Sequence, residues 1–177
     1  KIDNQKFKIK SRKNDDDVVA TLLSKGKIFG RLSGASEYGP RALGNRSILC
    51  NPAIAEMKDI LNEKVKHREY YRPFAPMVRL EDVSEYFEWE GESRWMTFCP
   101  KVKKEWRKKL PSITHVDNTA RIQTVTKEQN PWIYELLTKF KEKTGVGVLL
   151  NTSFNVNGKP ILNTIRDAFE ILEKAKW

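Results

Sequence analysis

The sequence predicts a single α/β domain built on a twisted mixed sheet, and three observations carry that expectation. Segments with helical spacing of apolar residues alternate with short runs of strand character, the pattern of helices packed on a sheet. The alternation is not strict, which favours a mixed sheet over a doubly wound parallel one. A length of 177 residues with 39% hydrophobic content supports one well-packed core, or at most two very small ones.

Residues 1–14 show little apolar periodicity and read as a linker from a preceding domain; the chain also begins with Lys1 rather than Met, as a fragment of a larger parent would. Residues 15–177 are expected to form the domain. Asp15, Asp16 and Asp17 cap a helix and complement its dipole, Val18, Val19, Leu22 and Leu23 give it one apolar face, and Gly26 stops it. A strand follows over 27–32. Pro52 precedes a helix over 54–65, marked by Ile54, Met57, Ile60, Leu61 and Val65. Strand character returns over 74–80, with a short helix over 81–87. A strand over 96–102 is expected at an edge because it contains Pro100, and another over 120–125. The strongest helix signal is 131–143, with Asn130 as cap, Pro131 in the first turn, Ile133, Leu136, Leu137 and Phe140 as the buried stripe, and Gly145 as the stop. Residues 146–150 read as a buried strand, and Thr164 with Asp167 opens a last helix bearing Ala168, Phe169 and Leu172.

Composition narrows the function. No apolar run approaches the roughly 20 residues of a membrane helix, and the basic N-terminus lacks the apolar centre of a secretory signal. Cys50 and Cys99 have no CxxC spacing, so neither a disulfide framework nor a zinc site is supported, and a reducing cytoplasm is the expected compartment. Only His67 and His115 are present, too far apart for a metal pattern, and no Ser/His/Asp or Cys/His triad can be assembled. Lys and Arg total 33 against 23 acidic residues, a net charge of +10 that biases the surface toward phosphate-bearing partners.

Three segments have more polar specificity than folding requires. Residues 34–47 form a glycine-punctuated loop whose glycines permit close backbone approach, while Arg41 and Arg46 could fork a phosphate or carboxylate. It is not a Walker loop, and a surface turn with solvated arginines remains an open reading. Residues 66–76 place Lys66, Arg68 and Arg72 before a strand, where fixed positive charge can hold the negative charge of a transferring phosphoryl or adenylyl group. The alternative there is a helix C-terminus decorated with cations to suit its dipole. Residues 151–158 follow a buried strand with Asn151, Ser153, Asn155 and Asn157, which can orient a ribose, a carbamoyl amide or a phosphate; an ordinary Asx turn is the favoured reading from residue types alone. A fourth feature, the basic run 101–109 around Trp106, could track a nucleic-acid backbone, although a solvated helix face with an anchored indole outweighs that reading.

In this order, and with 114–123 (Thr114-His115-Val116-Asp117-Asn118-Thr119-Ala120-Arg121-Ile122-Gln123) between the second and third, these segments closely resemble the C-terminal domain of the family of nodulation-type and antibiotic-tailoring O-carbamoyltransferases. The resemblance runs from about Asp15 to the end. It implies a YrdC-like fold with a basic concave surface. The activity it implies is formation of carbamoyl-adenylate from carbamoyl phosphate and ATP, with Mg²⁺ accompanying the nucleotide. The carbamoyl group would then pass to a hydroxyl on a larger N-terminal domain of the actin-like ATPase superfamily, none of which is in this sequence. Carried over by position, Lys66, Arg72 and Arg121 are expected to be catalytic. Arg41, Arg68, Asn151, Ser153 and Asn155 are expected to bind substrate and nucleotide, and no protein-held metal is expected. Lys66 with Arg68 is similar to the Lys-x-Arg element of YrdC proteins, and Ser153 with Asn155 to their Ser-x-Asn element. Adenylation by in-line displacement demands positioning and charge neutralisation rather than a side-chain nucleophile, in keeping with the residue types. Ala35-Ser36, before Glu37, departs from the bulkier or charged residues other members carry there, so acceptor and nucleotide preference stay open. The competing reading is a non-catalytic basic module that binds RNA or a nucleotide.

Overall fold

The computed structural model describes residues 15–174, so the expected linker over 1–14 lies outside the described residues. Five strands form one mixed sheet in the order β1-β2-β5-β3-β4: β1 Phe29–Leu32, β2 Arg46–Cys50, β3 Ala75–Arg79, β4 Gln123–Val125 and β5 Val148–Ser153. All neighbours are antiparallel except β3 and β4. The central strand β5 is fixed from both sides, Asn151 lying opposite Leu49 of β2 and Ala75 of β3.

Side chains alternate across the sheet, as the period of two requires. Leu49, Met77, Val125 and Leu149 face a core shared with Leu23, Ile133, Leu136 and Phe140. Ile48, Cys50, Val78, Val148 and Leu150 face the opposite core with Leu61, Val65, Tyr86 and Phe87. The first core is closed by α1 (Asp15–Ser24) and α5 (Pro131–Thr144). The three aspartates that open α1 also dock it: Asp15 accepts from the Trp132 indole at 2.8 Å, Asp16 pairs with Lys139 at 3.1 Å and Asp17 with Lys143 at 2.9 Å. Leu22, placed by spacing on the buried face, is exposed, and Ala20 takes its place in the core. At the start of α5 the Asn130 side chain accepts from Ile133 N at 3.2 Å, and Gly145 ends the helix in the left-handed conformation at φ 74°.

The second core is closed by α2 (Met57–Ile60), its π-helical continuation Leu61–Lys66, a 3₁₀ turn Leu80–Asp82 with α3 (Val83–Tyr86), and α6 (Ile165–Lys174). Thr164 and Asp167 cap α6 reciprocally, the carboxylate accepting from Thr164 N at 2.7 Å and the hydroxyl from Asp167 N at 3.3 Å. Among the described residues, no helix is long and apolar enough to cross a membrane.

Two strand assignments differ from the sequence reading. Arg46–Cys50 is a strand that the pattern did not reveal, because all five residues are buried and buried strands have no polar-apolar alternation. Residues 96–102 form no strand. Only the isolated bridges Phe87 to Val102 and Lys101 to Thr119 occur there, since Pro100 has no N–H for a ladder and Met96 sits at φ 58°.

A buried ion network ties α3 to α5. Asp82, 7% exposed, accepts from Arg79 at 2.7 Å and from Lys141 at 2.9 Å, and Lys141 also reaches Glu85 at 2.6 Å. Asp82→Ala will leave two part-buried cations without their shared carboxylate. A loss of about 1–3 kcal/mol in urea unfolding is expected; an unchanged midpoint would mean that solvent replaces the carboxylate without cost.

Candidate functional site

The sheet topology brings the three polar segments, together with the segment that carries Arg121, to one end. Because β5 runs against β2 and β3, and β4 runs with β3, the start of β2, β3 and β4 and the finish of β5 share an edge of the sheet. The segments at those points are 33–45, 67–74, 119–122 and 153–158. Between them lies a cleft of about 230 Å³, lined by Arg41, Arg68, Arg72 and Arg121 from three segments, by Ala42, Phe74 and Met96, and by Asn151, Thr152 and Ser153 from the end of β5.

Each segment is held by a polar side chain that anchors its backbone. In the glycine loop, the Glu37 carboxylate accepts from Leu43 N and Asn45 N at 2.7 Å each. Gly39 and Gly44 take φ values of 123° and 128°, a region open to glycine. A Cβ on Gly44 would also meet the Asn130 amide at 2.9 Å. The glycines therefore shape the turn that presents Arg41. Arg46 does not share in this presentation. It is 4% exposed and donates to the carbonyls of Ser33 at 2.8 Å and Gly34 at 3.0 Å, tying the loop to the sheet rather than reaching an anion.

In the second segment, the π-helical turn ends on His67 in the left-handed conformation at φ 48°. Asn62, buried on that turn, donates its amide to the carbonyls of Tyr70 at 3.2 Å and Arg72 at 3.0 Å and accepts from Arg68 Nε at 2.7 Å. The Arg68 guanidinium also lies 4.8 Å from the centre of the Phe74 ring. Arg72 is half-exposed, with Glu69 at 3.9 Å. Arg121 is partly buried, its Nε has no protein partner, and no carboxylate pairs with it among the described residues.

The electrostatics are those of a cation cluster with one peripheral carboxylate, Glu69. Burial, then Arg72 and Arg121, push the Arg68 guanidinium down to about 10; burial, then Arg41, push Arg121 down. Such a cluster stores repulsion that a bound anion relieves.

Lys66 lies behind the cleft rather than on its wall. It is 3% exposed, and its ammonium donates to the Ser153 carbonyl, to Asn155 O at 3.1 Å, to Asn155 Oδ1 at 2.8 Å and toward Ser153 Oγ at 3.3 Å. Burial, then Arg68, push it down to about 7. Asn155 is absent from the cleft wall too; its side chain closes this cage and donates to Lys159 O at 2.8 Å. Asn151, Thr152 and Ser153 are part of β5, not of a turn as residue types suggested; the chain bends at Phe154 and turns at Asn157 and Gly158.

The basic run around Trp106, which contains the short helix α4 (Lys104–Arg107), stands apart. The indole packs against the second core with its ring centre 4.7 Å from Tyr86, and Lys109 lies over it at 4.6 Å, the arrangement of an anchored indole under a solvated basic run. Sequence reading assigned no role to Asn62 or Gln123. An Asn inside the apolar spacing of Leu61 and Val65 was the available signal for the first; Gln123 had none beyond its place on a strand.

The family model described as carbamoyltransferase C-terminus matches residues 20–177. The nodulation protein NolO of Bradyrhizobium diazoefficiens is 46% identical over 86% of this chain and 29% of its own length. The 3'-hydroxymethylcephem-O-carbamoyltransferase of Streptomyces clavuligerus is 40% identical over 90% of this chain and 30% of its own. The chain thus spans about 30% of the length of these relatives. Among solved structures, T. kodakarensis HypF superposes with a TM-score of 0.67 at 19% identity, over 94% of this chain and 20% of that one. HypF in its phosphate- and nucleotide-bound form gives 0.62 at 21% identity, over 96% and 21%. These likenesses bear on the fold alone, and they agree with the expected YrdC-like α/β domain with a mixed sheet.

Proposed function

Because the chain belongs to the carbamoyltransferase C-terminus family, we propose that its arginine-lined cleft takes carbamoyl phosphate and ATP and forms carbamoyl-adenylate for transfer to a hydroxyl acceptor elsewhere in a larger parent protein. The observation that carries this reading is the convergence of Arg41, Arg68, Arg72 and Arg121 from three distant segments on one cleft beside Asn151 and Ser153. Water first cleaves the carbamoyl–phosphate linkage, giving carbamate and inorganic phosphate. A carbamate oxygen then attacks the α-phosphorus of ATP, forming a new P–O bond as the bond to the β-phosphate bridge breaks and pyrophosphate leaves. Four guanidinium groups suit the anions present at each stage, and the rigid sheet end supplies the alignment that in-line displacement demands. Arg68 is fixed by Asn62 and Phe74 as a charge that does not reorganise, whereas exposed Arg41 and Arg72 can close over the ligand.

Mg²⁺ enters this reading as companion of the nucleotide phosphates. The cleft wall offers arginines and amides for the anion, and among the described residues no group of three or more His, Cys, Asp or Glu is placed to hold a metal. Acceptor choice and the transfer step belong, in this reading, to an actin-like ATPase-superfamily domain outside the chain. Incubation of the chain with ATP, carbamoyl phosphate and Mg²⁺ is expected to release pyrophosphate in step with phosphate. Normal ATP binding with no pyrophosphate would assign activation to another part of the parent protein. The RNA-binding reading has no such support, since the indole it relies on serves to anchor the basic run to the second core.

A further inference from the structure

We infer that Gln123 is a positioning residue that sets the hydrogen-bond polarity of Asn151, and that the pair makes the cleft select a ligand with an N–H donor over an isostere without one. Two backbone carbonyls of the glycine loop, those of Ala42 and Leu43, face the pair. The Leu43 carbonyl accepts from Gln123 Nε2 at 2.9 Å, which leaves the Gln123 oxygen facing Asn151. That oxygen accepts from Asn151 Nδ2 at 2.8 Å, and the Ala42 carbonyl accepts from the same nitrogen at 2.9 Å. Flipping either amide would set oxygen against oxygen, so the orientation of both follows from the carbonyls.

The consequence lies in what remains. Both N–H groups of Asn151 are spent on the protein, and its only unused capacity is Oδ1, an acceptor. Asn151 is 1% exposed, lines the cleft, and its Oδ1 is a buried oxygen without a partner. A buried acceptor left unpaired costs about 1–3 kcal/mol. A ligand that offers an N–H at this point recovers that cost, while a methyl or hydroxyl-free group in the same place does not. A site built around a donor can reject the analogue lacking it far more strongly than a merely hydrophobic pocket can. On the proposed function, whose reading this inference deepens, the donor is the NH₂ of the carbamoyl group, and the surrounding arginines take the phosphate. Gln123 touches no ligand itself: it is 3% exposed and does not line the arginine cleft.

Acetyl phosphate is the discriminating probe, because it places CH₃ where carbamoyl phosphate has NH₂ and keeps the phosphate. By calorimetric titration of the 177-residue chain, carbamoyl phosphate is expected to bind at least about tenfold tighter than acetyl phosphate. In Gln123→Met, which has similar length but neither donor nor acceptor, the two affinities are expected to approach each other, with inorganic phosphate binding unchanged. A merely structural role would weaken all three ligands together. Equal binding of the two acyl phosphates by the unaltered chain overturns the inference and leaves the carbamoyl-activation reading standing. Failure of carbamoyl phosphate, acetyl phosphate and inorganic phosphate alike to bind overturns that reading, and the inference with it. Should Gln123→Met fail to fold by circular dichroism, Gln123→Leu, equally without donor or acceptor, takes its place, and a preference for carbamoyl phosphate kept in the folded variant overturns the role of Gln123.

Discussion

Arg121→Met is expected to lower pyrophosphate release by about 100-fold or more while leaving the ligand-free protein as stable as before. The two halves of this expectation come from one observation. Arg121 is partly buried, its Nε finds no partner, and both burial and Arg41 act against its charge. In the empty protein this guanidinium therefore contributes little to stability, and methionine retains the apolar stem that packs beside it. In the complex, the same guanidinium meets an anion in a site where few waters compete, so the full value of a charge-assisted hydrogen bond is recovered there. The check is a pair of measurements, thermal unfolding without ligand and turnover with ATP and carbamoyl phosphate. Normal turnover in the variant would remove Arg121 from the site. A large fall in melting temperature would instead make it a structural residue.

How much of this was legible beforehand depended on how each residue works. Arg41, Arg68 and Arg72 stood out as cations in polar segments before strands, whereas Arg121 came only from the family resemblance; all four reach the cleft. The helices capped by Asn130 and by Thr164 with Asp167 were legible because capping is local in sequence. What sequence could not supply was topology. Nothing in the one-dimensional pattern says that β5 runs antiparallel between β2 and β3, yet that arrangement alone collects four loops at one end. Buried support was equally hidden: Arg46 looks like Arg41 in sequence, but its guanidinium is consumed by carbonyls 12 and 13 positions away. Gln123 and Asn62 act through partners made near only by folding, Gln123 reaching across 80 positions to Leu43.

Lys66→Met is expected to destabilise the protein by about 2–4 kcal/mol near neutral pH, and the size of the effect is expected to grow as the pH rises. The ammonium carries three N–H groups, all directed at oxygens of Ser153 and Asn155. Methionine has the length but no donor, so the Asn155 carbonyl loses its partner, the Ser153 carbonyl and Asn155 Oδ1 keep only Asn155 N and Ser153 Oγ, and the segment that presents Ser153 loses its anchor. The pH dependence follows from burial, which with help from Arg68 brings the folded amine from 10.5 down to about 7. Below about pH 7 both folded and unfolded chains carry the proton, and the cost of burying the charge is felt in full. Between about 7 and 10.5 the unfolded chain keeps a proton that the folded one has released, so the stability of the unaltered protein rises with pH. The slope cannot exceed about 1.4 kcal/mol per pH unit for one group. The methionine variant has no such group, which makes the gap between the two proteins smallest below neutrality and widest toward about pH 9. Urea unfolding of both at about pH 6 and about pH 9 measures it. Parallel profiles would mean that the oxygen cage holds Lys66 charged throughout, in which case the fold keeps an ammonium ion under the cleft at every working pH.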